Sequence, residues 1–103
     1  MAVSAEYLAK IRRAVRRGQS ADVDAELIDL IEECRADLLG VGVRPDKTGD
    51  ESDPLILGAI RCFARWKFGL FNEEAAPNRE DYMQLRDELR KRVEYCISPT
   101  PSS

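Results

Sequence analysis

Lys10, Arg12, Arg13, Arg16 and Arg17 gather five positive charges within eight residues. On a helix Arg12, Arg13, Arg16 and Arg17 recur at i, i+1, i+4 and i+5, so they share a face that can lie along a phosphate backbone. The same face can instead neutralise the acidic segment beyond it. Asp22, Asp24, Glu26, Asp29, Glu32, Glu33 and Asp37 give that segment its charge, relieved only by Arg35. Opposite charges in successive helices invite pairing within or between subunits. An acidic second helix also argues against a helix-turn-helix, whose second helix must enter DNA.

Catalytic chemistry finds little to work with. The chain has no histidine, which removes Cys–His and Ser–His nucleophile pairs and a common zinc ligand. Cys34, Cys62 and Cys96 are widely spaced without a Cys-x-x-Cys pair. Each falls on the apolar side of an expected helix, as small reduced hydrophobes do. Glu32, Glu33, Glu73 and Glu74 sit in no apolar setting that would raise a carboxyl pKa. There is no glycine-rich phosphate loop and no acidic metal loop. The expectation is a protein with no enzymatic activity, no cofactor and no metal.

The elements that must position these charges emerge from apolar spacing. The 103 residues, 44% hydrophobic and 34% charged, suit one globular domain, expected over residues 1–96. No apolar run approaches the roughly 20 residues of a membrane span. The N-terminus lacks the basic-then-apolar order of a secretory signal, so the expected location is the cytosol or something assembled there.

The most telling stretch is residues 53–69. Asp53 can cap a helix whose first turn holds Pro54, and Gly69 can end it in a left-handed conformation. Between them Leu55, Ile56, Ala59, Ile60, Phe63, Ala64 and Trp66 predict an apolar central helix, about residues 54–68, that neighbours must cover. Ser4 caps a first helix reaching Arg17, striped by Tyr7, Leu8, Ile11 and Val15 and ended by Gly18. A second helix starts at Ser20, Asp22 or Asp24 and runs to about Leu39, striped by Leu27, Ile28, Leu30, Ile31, Cys34 and Leu38.

Arg44–Ser52 has no periodicity and reads as an exposed loop. Asn78 caps a last helix striped by Tyr82, Leu85, Leu89, Val93 and Cys96. Ile97–Ser103, with Pro99 and Pro101, reads as a disordered tail. Strand signals are nearly absent; Val41–Val43 alone can pair with anything. The expected fold is all-α, a small bundle of four helices. Arg61 and Arg65, four apart on the central helix, either cover apolar surface with their stems or border a subunit interface. Trp66, Phe68 and Phe71 pack in the core or form an exposed anchor.

The order of these elements resembles a known family. An acidic helix, Glu26-Leu-Ile-Asp-Leu-Ile-Glu-Glu-Cys-Arg-Ala-Asp-Leu-Leu, precedes a loop. Asp53-Pro-Leu-Ile-Leu-Gly-Ala-Ile comes next, with the aromatic-basic end Trp66-Lys-Phe-Gly, and then Asp81-Tyr-Met-Gln-Leu-Arg-Asp-Glu-Leu-Arg. Over about residues 22–96 the pattern is similar to the head–tail connector proteins of long-tailed bacteriophages, also called adaptor or DNA-packaging proteins.

The resemblance implies an all-α virion structural protein without catalysis. It implies a homo-oligomeric ring, twelvefold like the portal protein it docks on. The ring continues the channel through which DNA passes without sequence specificity and receives a downstream tail-completion protein. The implied location is the head–tail junction, reached from the host cytoplasm, with no membrane partner. Lys10, Arg12, Arg13, Arg16, Arg17, Glu26, Asp29, Glu33, Arg61 and Arg65 are the candidates for subunit or DNA contact. Ile97, Ser98, Pro99, Thr100 and Pro101 are the candidates for docking on the portal. The basic first helix has no counterpart in the family pattern, so it can face DNA, portal or neighbour. A small DNA-binding regulator using that helix is the alternative expectation, and an interaction module unrelated to phage is a third.

Overall fold

The computed structural model describes residues 3–69, 73 and 75–97. Ser4 opens α1 (Ala5–Ala14) by accepting the Tyr7 amide on its hydroxyl. Ser20 does the same with Val23 for α2 (Ala21–Gly40). Both are ordinary N-caps, a side-chain oxygen satisfying an amide that the first turn leaves without a carbonyl. A short helix, α3 (Pro45–Thr48), interrupts the connection to α4 (Pro54–Lys67), and α5 (Ala75–Lys91) runs into a 3-10 turn at Val93–Tyr95. The fold is all-α, with four long helices among the described residues and one isolated bridge, Val43 to Cys96.

The central helix keeps its expected start, where Asp53 accepts the Leu55 and Ile56 amides. At its other end the chain leaves the helix at Phe68, which is already extended at ψ 127°, and Gly69 follows at φ 90°. α4 packs against α1, α2 and α5. Its Ile56, Ala59, Ile60 and Phe63 join Ile11, Leu27, Ile31 and Tyr82 in one buried core. Side-chain ties set the directions. Ser4 and Glu51 join the starts of α1 and α4, Arg65 reaches Ala14 near the ends of both, and Arg12 meets Asp24 at the start of α2. α1 and α4 therefore run one way and α2 the other, and Tyr82 beside Phe63 with Tyr95 bonded to Asp53 brings α5 back antiparallel to α4.

Four expectations are corrected. α1 stops at Ala14 rather than Arg17. The turn beyond it is closed by the Arg16 amide on the Arg13 carbonyl and the Arg17 amide on the Arg12 carbonyl, with Arg16 at φ 58°. Gly18 stands two residues too late to serve it.

Arg44–Ser52 is not a free loop. It contains α3, buries Thr48, and is tied to Tyr95 through the Arg44 amide.

The last helix begins at Ala75, not Asn78, and ends before Val93. Pro77 sits in its first turn, where a missing N–H is harmless. Val93 is consequently 84% exposed instead of continuing the apolar stripe, and Cys96 is half-buried in the bridge. Ile97, expected to start a free tail, donates its amide to Gly42. Ser98, Pro99, Thr100, Pro101 and Phe71 lie outside the described residues.

Candidate functional site

The basic cluster does not form one helical face. Arg12 turns inward, its Nε 3.2 Å from Asp24 Oδ1 in a mostly buried pair. This is the expected contact between basic and acidic helices, made within one chain at a single point. Arg13 is exposed on the last turn of α1. Arg16 and Arg17 lie beyond the helix, exposed, with the Arg17 guanidinium 5.6 Å from the Phe68 ring centre. Lys10, half-buried, lies close enough to Glu51 to help hold that carboxyl in its charged form.

Glu26 and Asp29 are exposed on α2, one helical turn apart, in a stripe with Asp22, Ala25, Glu33 and Ala36. No lysine or arginine shares that stripe, because Arg35 points the other way into the core. Among the described residues Glu33 alone of these acids makes an ion pair, to Lys67 Nζ at 2.7 Å. Arg61 and Arg65 are half-buried on α4, and Arg65 Nε donates to the Ala14 carbonyl at 3.0 Å, satisfying a carbonyl at the end of α1.

Between α2 and α5 lies a cleft of about 370 Å³ lined by Ala36, Asp37, Phe63, Trp66, Met83 and Arg86, among others. Trp66 is half-buried against Phe63 and Tyr82, at 5.5 and 6.1 Å between ring centres. Lys67 Nζ lies 4.9 Å from the Trp66 ring centre, and the Arg79 guanidinium 5.7 Å from it. Asp37 accepts the Tyr82 hydroxyl at 2.6 Å and pairs with Arg86 at 3.2 Å. The cleft is thus a packed aromatic corner whose charges are paired off.

No family model, curated protein or solved structure matches the chain.

Burial pushes the Cys34 thiol up to about 12, so it stays protonated and inert as a nucleophile. Burial, with Asp81 adding to it, also raises Cys62. What the arrangement offers is charge: an acidic helix face, an exposed cationic corner at the end of α1, and a cationic strip on α4.

Sequence reasoning misses Arg35. It reads as relief for an acidic run, yet it is only 6% exposed, with Nε donating to the Thr48 carbonyl at 3.1 Å and its guanidinium 5.7 Å from the Tyr7 ring centre. The signal was available. Position 35 is four after Ile31 and three before Leu38, squarely on the apolar stripe.

At the far end of the molecule, Leu39, Val93 and Ile97 are the exposed large hydrophobics among the described residues. Leu39 and Ile97 flank Gly42, each bonded to it through the backbone.

Proposed function

We propose that the chain is a non-enzymatic assembly protein of the head–tail connector kind. Copies associate into a ring that seats on a portal, continues its DNA channel and presents a platform to the next tail component. The reading rests on the charge left over once internal pairs are made. Asp22, Glu26, Asp29 and Glu32 stand on the outer side of α2 without an ion pair among the described residues, while Arg61 on α4 and the exposed Arg13, Arg16 and Arg17 at the end of α1 are cations that make none there either. Opposite charges on different parts of one surface complement each other head to tail, which is how rings close. The formal net charge of −3 also suits a channel wall along which DNA slides. Ile97 and the segment 98–101 remain the part assigned to the portal.

A duplex-binding regulator is the competing reading, and it needs Arg12, Arg13, Arg16 and Arg17 on one helical face. With Arg12 paired to Asp24 and two of the others beyond the helix, that face is not available as such.

Native mass spectrometry across a concentration series, at low and physiological salt, tests the proposal. A discrete ring of about a dozen copies is expected. A monomer at every concentration, or steeply salt-dependent duplex binding by a dimer, would overturn it.

A further inference from the structure

We infer that copies of the chain meet by laying the acidic outer face of α2 from one subunit over an open strip of α4 on the next, centred on Gly58. This contact rests on the self-assembly proposed for the chain and gives it a location.

α4 is the hub of the fold, yet it is not covered all round. Leu55, Gly58, Arg61, Cys62 and Arg65 remain half-buried. They line one side of the helix over ten residues, about 15 Å. Lys67, which reaches Glu33 on α2, is nine residues from Gly58 and therefore on the opposite side of α4. The strip faces away from α2.

Gly58 is the feature that its own chain does not explain. A glycine inside a helix is destabilising relative to alanine, and it is kept where a turn demands it or where another backbone approaches closely. Gly58 lies within α4, and a Cβ built on it would meet nothing within 4 Å. No neighbour in the monomer needs the room. Arg61, one turn further on, makes no ion pair among the described residues, and the Arg65 stem runs beside it to Ala14. Asp81 on α5 borders the strip, close enough to Cys62 to help raise its thiol.

A partner for this strip must be narrow at its centre and acidic along its length. The outer face of α2 meets both conditions. Asp22, Ala25, Glu26 and Asp29 are exposed along one side of it, and Glu33, held by Lys67 of its own chain, ends the row. From Asp22 to Glu33 is eleven residues, about 16 Å, the length of the strip. Ala25 supplies the small residue to set against Gly58, and Glu26 and Asp29 supply carboxylates for Arg61. α2 lies on the far side of α4 from the strip, so a subunit that uses both surfaces has neighbours on opposite sides, as a ring requires.

Sedimentation velocity on the full chain tests the contact with three variants. Gly58→Met fills the open space with a good helix former; the thermal melt is expected to hold or rise while association weakens at least about tenfold. Asp29→Arg and Arg61→Glu are each expected to abolish association alone, and an equimolar mixture of the two is expected to restore it, because every contact in the mixture is again complementary. Wild-type oligomers with Gly58→Met and both charge variants still associating would overturn the contact while leaving self-assembly standing. A wild-type chain that stays monomeric at every concentration would overturn both.

Discussion

Tyr95 donates its phenolic hydrogen to Asp53 Oδ2 at 2.6 Å, tying the turn after the last helix to the residue that caps the central one. The other oxygen of Asp53 accepts the Leu55 and Ile56 amides at 2.9 and 3.1 Å. One buried carboxylate thus starts α4 and holds the end of the described chain against it. The Val43–Cys96 bridge and the Arg44 amide on the Tyr95 carbonyl complete the attachment. Tyr95→Phe leaves an oxygen of Asp53 unpaired in a site only 8% exposed. It is expected to destabilise the fold by about 1–2 kcal/mol. Asp53→Ala loses the cap as well and is expected to cost roughly 1 kcal/mol more. Urea unfolding of the two variants measures both, and equal stabilities of Tyr95→Phe and wild type would show that the hydrogen bond contributes nothing net.

Glu51 makes a comparable tie at the start of α1. It accepts the Ser4 amide and hydroxyl and lies 3.9 Å from Arg35. Partial burial favours its neutral form, but the two Ser4 hydrogen bonds, Arg35 and Lys10 outweigh it, so the carboxyl titrates below its ordinary 4.5. A folded-state value below the unfolded one means that the stabilisation is present above about pH 4.5 and is lost as pH falls through the lower folded value. Acid unfolding is therefore expected to shift with this residue. Glu51→Gln should flatten the pH dependence of stability below pH 4.5 and leave the slope at neutral pH unchanged. An unaltered acid profile in that variant would assign acid sensitivity to other carboxylates.

Local chemistry is what made the helices legible. Ser4, Ser20 and Asp53 cap helices through oxygens two or three residues from their targets, so each can be read without knowing a neighbour. The features that escape depend on partners far along the chain. The apolar stripe of α5 extends by spacing through Val93, but the bridge to Val43 pulls Cys96 out of helical register and exposes Val93. Arg35 becomes a core residue because Tyr7, Thr48 and Glu51 arrive around it from three other segments. The basic cluster is legible as charge but not as geometry, since α1 ends before Arg16 and Arg17 reach the face that their spacing suggests.

That early end carries a prediction. α1 and α2 close with the same pair of backbone hydrogen bonds, from the amides of the first and second residues past the cap. In α2 the left-handed position is Gly42, at φ 101°; in α1 it is Arg16, at φ 58°. Side chains with a Cβ are strained there and glycine is not. Arg16→Gly is expected to stabilise the chain by about 0.5–1 kcal/mol, less the greater entropy of glycine in the unfolded state. Arg16→Ala, which removes the same charge but keeps the Cβ, should show no such gain. If both variants melt together, the strain at Arg16 is too small to matter, and the charge alone governs the difference from wild type.

Alkaline pH probes the core directly, because all three tyrosines of the chain are buried. Burial pushes the Tyr7 phenol up to about 12, with Arg35 pulling it partly back. Tyr95 also rises to about 12, through burial first and then its hydrogen bond to Asp53. Tyr82 goes higher still, through burial, the neighbouring Cys34 and its bond to Asp37. Folding thus favours a neutral phenol, so the stabilisation is complete below the ordinary value of 10.0 and drains away as pH rises toward 12. Phenolate is expected to form only as the helices melt, so ultraviolet absorbance of phenolate and loss of helical circular dichroism should coincide above pH 10. The transition should be cooperative, since one ionised tyrosine in this core leaves a buried charge against Asp37 or Asp53. Tyr95→Phe removes one of the three phenols and should leave a smaller absorbance change at the same coincidence with unfolding. Tyrosine ionisation near pH 10 with full helical signal would mean that the phenols open to solvent without unfolding, and that the packing of Tyr82 between α2 and α4 is looser than its 5.0 Å contact with Phe63 indicates.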